Sequence, residues 1–243
     1  MVFIAKRIKN IGDYISYKYP QLRFLLKPLY HKLFYDRYGK KRRESYLNNA
    51  HEAIEAFDAC MKKNGINYSL AYGTMLGAIR EKGFIKHDAD LDVFVWNDVF
   101  SMNIKECLES SGFRRTRSIL VENGKLGREE SYDYKSVSID LFYIYTDNQG
   151  DNYVCWFKPN DGYPTLPISM MESGSVKTLI DYLPFINAYK LVPFEGMMLP
   201  VFENAKDILL SCYGVNYMIP DPNFKPVQVE FKGVKAIYSG IGN

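Results

Sequence analysis

Apolar residues change period several times along this 243-residue chain. Leu47, Ala50, Ile54, Phe57 and Met61 recur at helical spacing over residues 44–64, and Gly65 supplies a C-terminal cap. Ile66, Tyr68 and Leu70 then alternate, which predicts a strand over residues 66–72. Gly73 and Thr74 turn that strand into a short helix, and residues 91–96 form a second, apolar strand. Asn97 caps a helix near residues 98–111 that carries Ile104, Cys107 and Leu108. Strands follow at residues 113–121 and 137–145, and Asp147-Asn148-Gln149-Gly150 turns the second of them into a return strand through Phe157. Residues 158–175 read as loop. Glu195-Gly196 joins hairpin strands over 189–194 and 197–201, Asn204 opens a last helix to Tyr213, and the Pro-rich tail from Pro220 is irregular. The pattern predicts an α/β (α+β) fold, a mixed sheet flanked by helices, with one domain over residues 47–243 and an arm over residues 1–46.

Charge separates the two parts. Residues 1–46 hold 12 Lys/Arg and 3 Asp/Glu, a balance of +9, whereas the remainder carries −6. In the arm, Leu22, Leu25, Leu26, Leu29, Leu33 and Phe34 keep roughly helical spacing, broken at Pro20 and Pro28, with Lys27, Lys32, Arg37 and residues 40–43 around them. That pattern suits an amphipathic helix on an anionic membrane surface, and equally a helix packed on the body with its basic residues solvated. Nucleic acid is the least favoured partner and none is expected. Cys60, Cys107, Cys155 and Cys212 form no CxxC pair and read as four free thiols in a reducing cytosol. The N-terminus lacks a signal-peptide core, and no run approaches the roughly 18 apolar residues that span a bilayer. A cytoplasmic location is expected, peripheral at the inner membrane face if the arm lies in the interface.

The chemistry concentrates in residues 70–96. Asp88, Asp90 and Asp92 alternate into the apolar strand, so Asp90 and Asp92 project from one face while Leu91, Val93 and Val95 project from the other. Paired carboxylates repel unless a cation lies between them, and Mg²⁺ (or Mn²⁺) favours carboxylate oxygens together with substrate phosphates. Asp88 joins that face, binds through water, or only caps the turn. Gly73 and Thr74 stand at a helix N-terminus, a natural phosphate site, and Arg80 follows on the same helix with a fork suited to phosphate. Asp140 is an isolated acid in the apolar run SVSIDLFYIY, where an unpartnered charge is costly, so it reads as a third metal ligand or a catalytic base. Asp133 is the poorer competitor because its neighbours are polar throughout. Lys82, Lys86, Arg128, Lys135 and His87 are weaker candidates for the site.

The segment GTMLGAIREKGFIKHDADLDV resembles the nucleotidyltransferase-fold signature and, more narrowly, the LicD/fukutin family of phospho-alcohol transferases. Gly73, Thr74, Leu76, Gly77, Ala78, Arg80, Gly83, Phe84, Ile85, Asp90 and Asp92 match that family's pattern as they stand. Lys86, His87 and Ala89 depart from it, where the family has Pro-Trp and a third consecutive acid. Phe194-Glu195-Gly196, Tyr213-Gly214, Tyr217-Met218 and Pro220 extend the resemblance, which covers roughly residues 48–222. It implies a nucleotidyltransferase-like mixed sheet. It also implies Mg²⁺-dependent transfer of phosphocholine or a polyol phosphate from a CDP-linked donor to a glycan hydroxyl, in cell-surface polysaccharide or lipopolysaccharide biosynthesis. Asp90, Asp92 and Asp140 would hold the metal and carry catalysis, and Gly73, Thr74, Arg80 and Asp88 would bind substrate phosphates. The alternatives are a nucleotidyltransferase moving NMP from an NTP and a non-catalytic nucleotide-binding protein.

Overall fold

The computed structural model describes residues 36–86, 88–159, 176–221, 224–227, 229–234 and 236–238. His87, the arm up to residue 35 and most of the predicted 158–175 loop lie outside them. The first described helix, α1 (Asp36–Lys63), begins earlier than the apolar periodicity suggests. It buries Ala50, Ile54, Phe57 and Met61 as expected, but Leu47 is 60% exposed and Tyr46 is buried in its place. The ring of Tyr46 packs edge-on against Phe84 at 5.5 Å, which rotates the buried stripe by one residue.

After α1 come β1 (Tyr68–Leu70), α2 (Tyr72–Arg80) and β2 (Asp90–Trp96). The predicted 98–111 helix divides. A 3₁₀ segment, Asn97–Met102, is followed by α3 (Ile104–Ser110), and the break falls at Asn103, whose φ of 54° no α-helix accommodates. The run β3 (Arg114–Val121), β4 (Gly127–Tyr134), β5 (Val137–Thr146), β6 (Asn152–Pro159) and β7 (Val176–Leu183) follows. The hairpin β8 (Tyr189–Phe194) and β9 (Met197–Phe202), α4 (Ala205–Tyr213) and the short β10 (Val229–Glu230) and β11 (Ala236–Tyr238) complete the described chain.

Among the described residues, nine strands form one mixed sheet in the order β10-β7-β6-β5-β4-β3-β11, with β2 joined to β5 and β1 to β2. Four α-helices accompany it among the described residues, so the α+β class holds. The β2–β5 pair is parallel, and its neighbours in the main sheet are antiparallel. This pair fixes the site, because strands laid side by side in register bring their outward side chains together. Beneath it, Leu91, Val93, Ile139, Leu141 and Tyr143 are fully buried. At about 25 cal/mol per Å² of apolar surface, such burial holds the two strands firmly in that register.

Strand β4 was not expected, because Arg128-Glu129-Glu130-Ser131 looks like surface. All four are buried. Glu130 accepts hydrogen bonds from Arg115 (2.9 Å), Ser118 (3.2 Å), Tyr132 (3.0 Å) and Tyr143 (2.8 Å), which offsets the loss of its hydration. The reading of four free thiols is corrected in part. Cys60 on α1 and Cys107 on α3 are disulfide-bonded with Cα atoms 6.7 Å apart, whereas Cys155 and Cys212 are free. Their separation of 47 residues leaves no spacing signal in the sequence. No helix among the described residues is long and apolar enough to cross a membrane.

Candidate active site

Asp92 of β2 lies directly beside Asp140 of β5 in the parallel register, and Asp90 lies beside Ser138. Ser138 donates its hydroxyl to Asp140 Oδ1 at 3.0 Å, which orients that carboxylate. Antiparallel pairing places Ser131 of β4 next to Asp140, and Glu129 next to Phe142 on the same face. Five carboxylates thus crowd one end of this face, and Asp92 records it. Its carboxyl is pushed well above the usual range by burial first, then by Asp90, Asp140, Asp88 and Glu129. Asp88 is raised to about 6 by burial and by Asp90, with Arg80 pulling the other way. Glu129 is raised to about 7, mainly by burial, despite an ion pair to Arg117.

The Gly-Thr turn and Arg80 take more modest places. Gly73 sits in the first turn of α2, and a Cβ there would come within 2.9 Å of Asp88 Oδ2, so the missing side chain makes room for that carboxylate. Thr74 is buried, and its Oγ1 accepts the N–H of Asp92 at 2.8 Å. It therefore ties the acidic strand to α2. Arg80 is at the far end of the helix. It donates to Glu81 Oε1 through Nε (3.1 Å) and Nη2 (2.7 Å), and to the Tyr217 carbonyl through Nη1 (3.5 Å). Its charge reaches Asp88, but its fork is spent on Glu81 and Tyr217. Among the weaker candidates, Lys135 pairs with Glu52 on α1, and Asp133, which lies beside Ser138 on the face of Asp140, faces Arg114 at 3.9 Å.

A cavity of about 650 Å³ opens beside Asp92. Asp92, Arg117 and Glu129 line one part of it, and Tyr72, Phe142, Trp156, Phe157 and Asp181 line another. The Tyr72 hydroxyl donates to Asp181 Oδ2 at 2.9 Å, which holds an acid among the rings. The segment after α4 contributes Phe224, Pro226 and Val227 to the wall.

Among the described residues no three His, Cys, Asp or Glu side chains converge into a ready-made ion cage. The facing pair Asp92 and Asp140 matches a different arrangement, in which one or two carboxylates and the substrate's own phosphates share a hard cation. Desolvation and the four neighbouring carboxylates both disfavour the ionised form of Asp92, a cost that a bound cation would relieve.

Residues 65–178, which carry β2, β4 and β5, match the family model described as LicD/FKTN/FKRP, nucleotidyltransferase domain. That segment is a LicD-family domain. A stretch of 47 residues, 19% of this chain, is 45% identical to the lipopolysaccharide cholinephosphotransferase LicD of Haemophilus influenzae and spans 18% of that protein.

In and beside this LicD-family domain, three site residues escaped the sequence reading: Glu129, Arg117 and Asp181. A signal for the first was present. Glu129, Ser131 and Asp133 alternate with Glu130, Tyr132 and Tyr134, a strand period written in polar residues. Arg117 and Asp181 carry no such mark, since only the folded sheet brings them to the cavity.

Stability should follow the charge on this acidic face. Folded Glu129 and Asp88 keep protons that the unfolded chain releases near pH 4, so between about pH 4.5 and 7 the folded state binds more protons. Stability then decreases as pH rises through that window. Thermal melts without divalent ions should give a Tm that falls from pH 5 to pH 8, and added Mg²⁺ should raise the Tm more at pH 8 than at pH 5. A Tm indifferent to both would contradict this electrostatic description.

Proposed function

We propose that the chain is a Mg²⁺- or Mn²⁺-dependent transferase that moves a phospho-alcohol from a CDP-linked donor to a glycan hydroxyl. The observation that carries the reading is the lateral pairing of Asp92 with Asp140 inside a LicD-family domain, beside a cavity of substrate size. Asp92 and Asp140 would hold the ion together with the donor's phosphates, and Asp90, two residues earlier beside Ser138, would add its charge to the same face. The ion would supply charge neutralisation across the donor diphosphate. The acceptor oxygen forms a bond to the phosphorus bearing the alcohol, the bond from that phosphorus to the CMP oxygen breaks, and CMP leaves with the electron pair. The hydroxyl proton would pass to a carboxylate, and Asp140, oriented by the Ser138 hydroxyl, is the candidate base if it does not itself bind the ion. Thr74 and the β2–β5 register keep Asp92 in place through the reaction.

Of the two alcohols the resemblance allows, phosphocholine or a polyol phosphate, we favour choline. Tyr72, Trp156, Phe157 and Asp181 line the cavity, and aromatic rings beside an acid suit a quaternary ammonium. The family's nucleotidyltransferase domain keeps a second reading in view, transfer of NMP from an NTP.

The two are separated by offering purified protein CDP-choline, CDP-linked polyols and NTPs with Mg²⁺, and by reading CMP and pyrophosphate separately. CMP from CDP-choline is the expected product. Pyrophosphate from an NTP would replace this reading with the second.

A further inference from the structure

Strand β3 contains an irregularity with a chemical consequence. Its register against β4 shifts between Arg115 and Arg117, so Arg115 opposes Tyr132 while Arg117 opposes Ser131. In a regular strand, residues two apart share a face. The bulge instead places these two arginines on opposite faces, a device found near active sites. Arg115 goes to the buried Glu130, where its role is structural. Arg117 goes to the acidic face, pairs with Glu129, reaches Asp140 Oδ2 at 3.4 Å and lines the cavity.

We propose that Arg117 is the cation that grips the donor's phosphates, and that until they arrive it serves as a built-in counter-ion for Asp140. This deepens the transferase reading and rests on it. Three observations support it. Both carboxylates are served by the same nitrogen, Nη2, and the bond to Asp140 is long and readily exchanged. Arg80, expected at the phosphates, is spent on Glu81 and the Tyr217 carbonyl. Arg117 is also next to Asp140, where a cation shared with phosphates would lie. A cation on Asp140 ends that carboxylate's need for the guanidinium, whose planar fork then suits the incoming diphosphate.

The proposal requires opposite changes in two binding measurements. Replacing Arg117 removes a competitor of the metal, so Arg117→Met should bind Mn²⁺ alone about tenfold more tightly, read by electron paramagnetic resonance. The same variant should bind CDP in the presence of Mg²⁺ about tenfold more weakly, read by calorimetry. Arg117→Lys, which keeps the charge but loses the fork, should leave Mn²⁺ affinity near wild type and still weaken CDP. Because Glu129 would lose its partner, the double variant Arg117→Met/Glu129→Gln repeats both measurements without a stranded carboxylate. A residue that only braces the sheet would move both affinities down together or move neither, and either result overturns the proposal. Inorganic pyrophosphate serves as a second probe. If wild type binds it with Mg²⁺ but does not bind CDP, the CDP reading fails and Arg117 is judged on pyrophosphate. If wild type binds neither, both fall.

Discussion

Asp92→Asn is expected to abolish transfer while leaving the protein as stable as before, or more so. An ion bound to this face would offset several kcal/mol of developing charge, and each 1.36 kcal/mol is tenfold in rate, so a loss of about 10³-fold or more is expected. The stability side has the opposite sign. Asp92 is half-buried, and desolvation followed by four neighbouring acids pushes its carboxyl up, so its ionised form is a burden on the ion-free fold. Asparagine keeps the shape and removes the charge. Its backbone N–H still reaches Thr74 Oγ1, because that bond does not involve the replaced side chain. CMP release and thermal melting on the same preparation check the pair of outcomes. Retained activity would remove Asp92 from the reaction. Lost activity with a lower Tm would mean that the residue serves the fold.

Gly77→Ala is expected to cause the largest structural loss. In an open helix the change would gain about 1 kcal/mol of propensity. Here a Cβ at Gly77 would fall on the carbonyl oxygen of Gly83 and within 3.2 Å of Ile85 Cγ1. A backbone carbonyl cannot turn aside as a flexible side chain can. The loop is also held from its other side, since Glu195 Oε1 accepts the Phe84 N–H at 3.0 Å and the Glu195 N–H donates to the Lys82 carbonyl at 2.9 Å. Overpacking against such a clamp costs about 1–3 kcal/mol, more than the propensity gain. The clamped loop leads directly into Asp88, Asp90 and Asp92, so activity should fall with stability. Denaturant unfolding measures the first effect and CMP release the second; an unchanged midpoint would contradict the close approach.

The clamp explains why the Phe-Glu-Gly hairpin and the Gly-Phe-Ile turn stand out in the sequence although neither bears obvious chemistry. Phe194 packs edge-on against Phe84 at 4.8 Å, and Glu195 secures the backbone beside it. Together they hold the entry to β2 against the body of the fold.

The position of Asp140 beside the β2 acids was legible because a lone charge in an apolar strand marks a special site. The alternation at Asp90 and Asp92 was legible for a similar reason, since the strand's other face is wholly apolar. Strand β4 was not, because Glu129 and Glu130 are stabilised by partners distant in sequence, and a local polar run does not reveal distant arginines and tyrosines. Arg117 was hidden more deeply. Its face depends on a one-residue bulge, and a strict period of two would have aligned it with Arg115. The disulfide and the substitution of Tyr46 for Leu47 in the buried stripe are likewise products of packing between elements.

The central claim is that the acidic face of β2 and β5 is where a divalent ion and the donor diphosphate meet. Crystals grown with Mn²⁺ and CDP, measured at the manganese absorption edge, test it most directly. An anomalous peak coordinated by Asp92 and Asp140, with the diphosphate directed toward Arg117 and the cavity, is the predicted result. Manganese and nucleotide bound away from this face would contradict it.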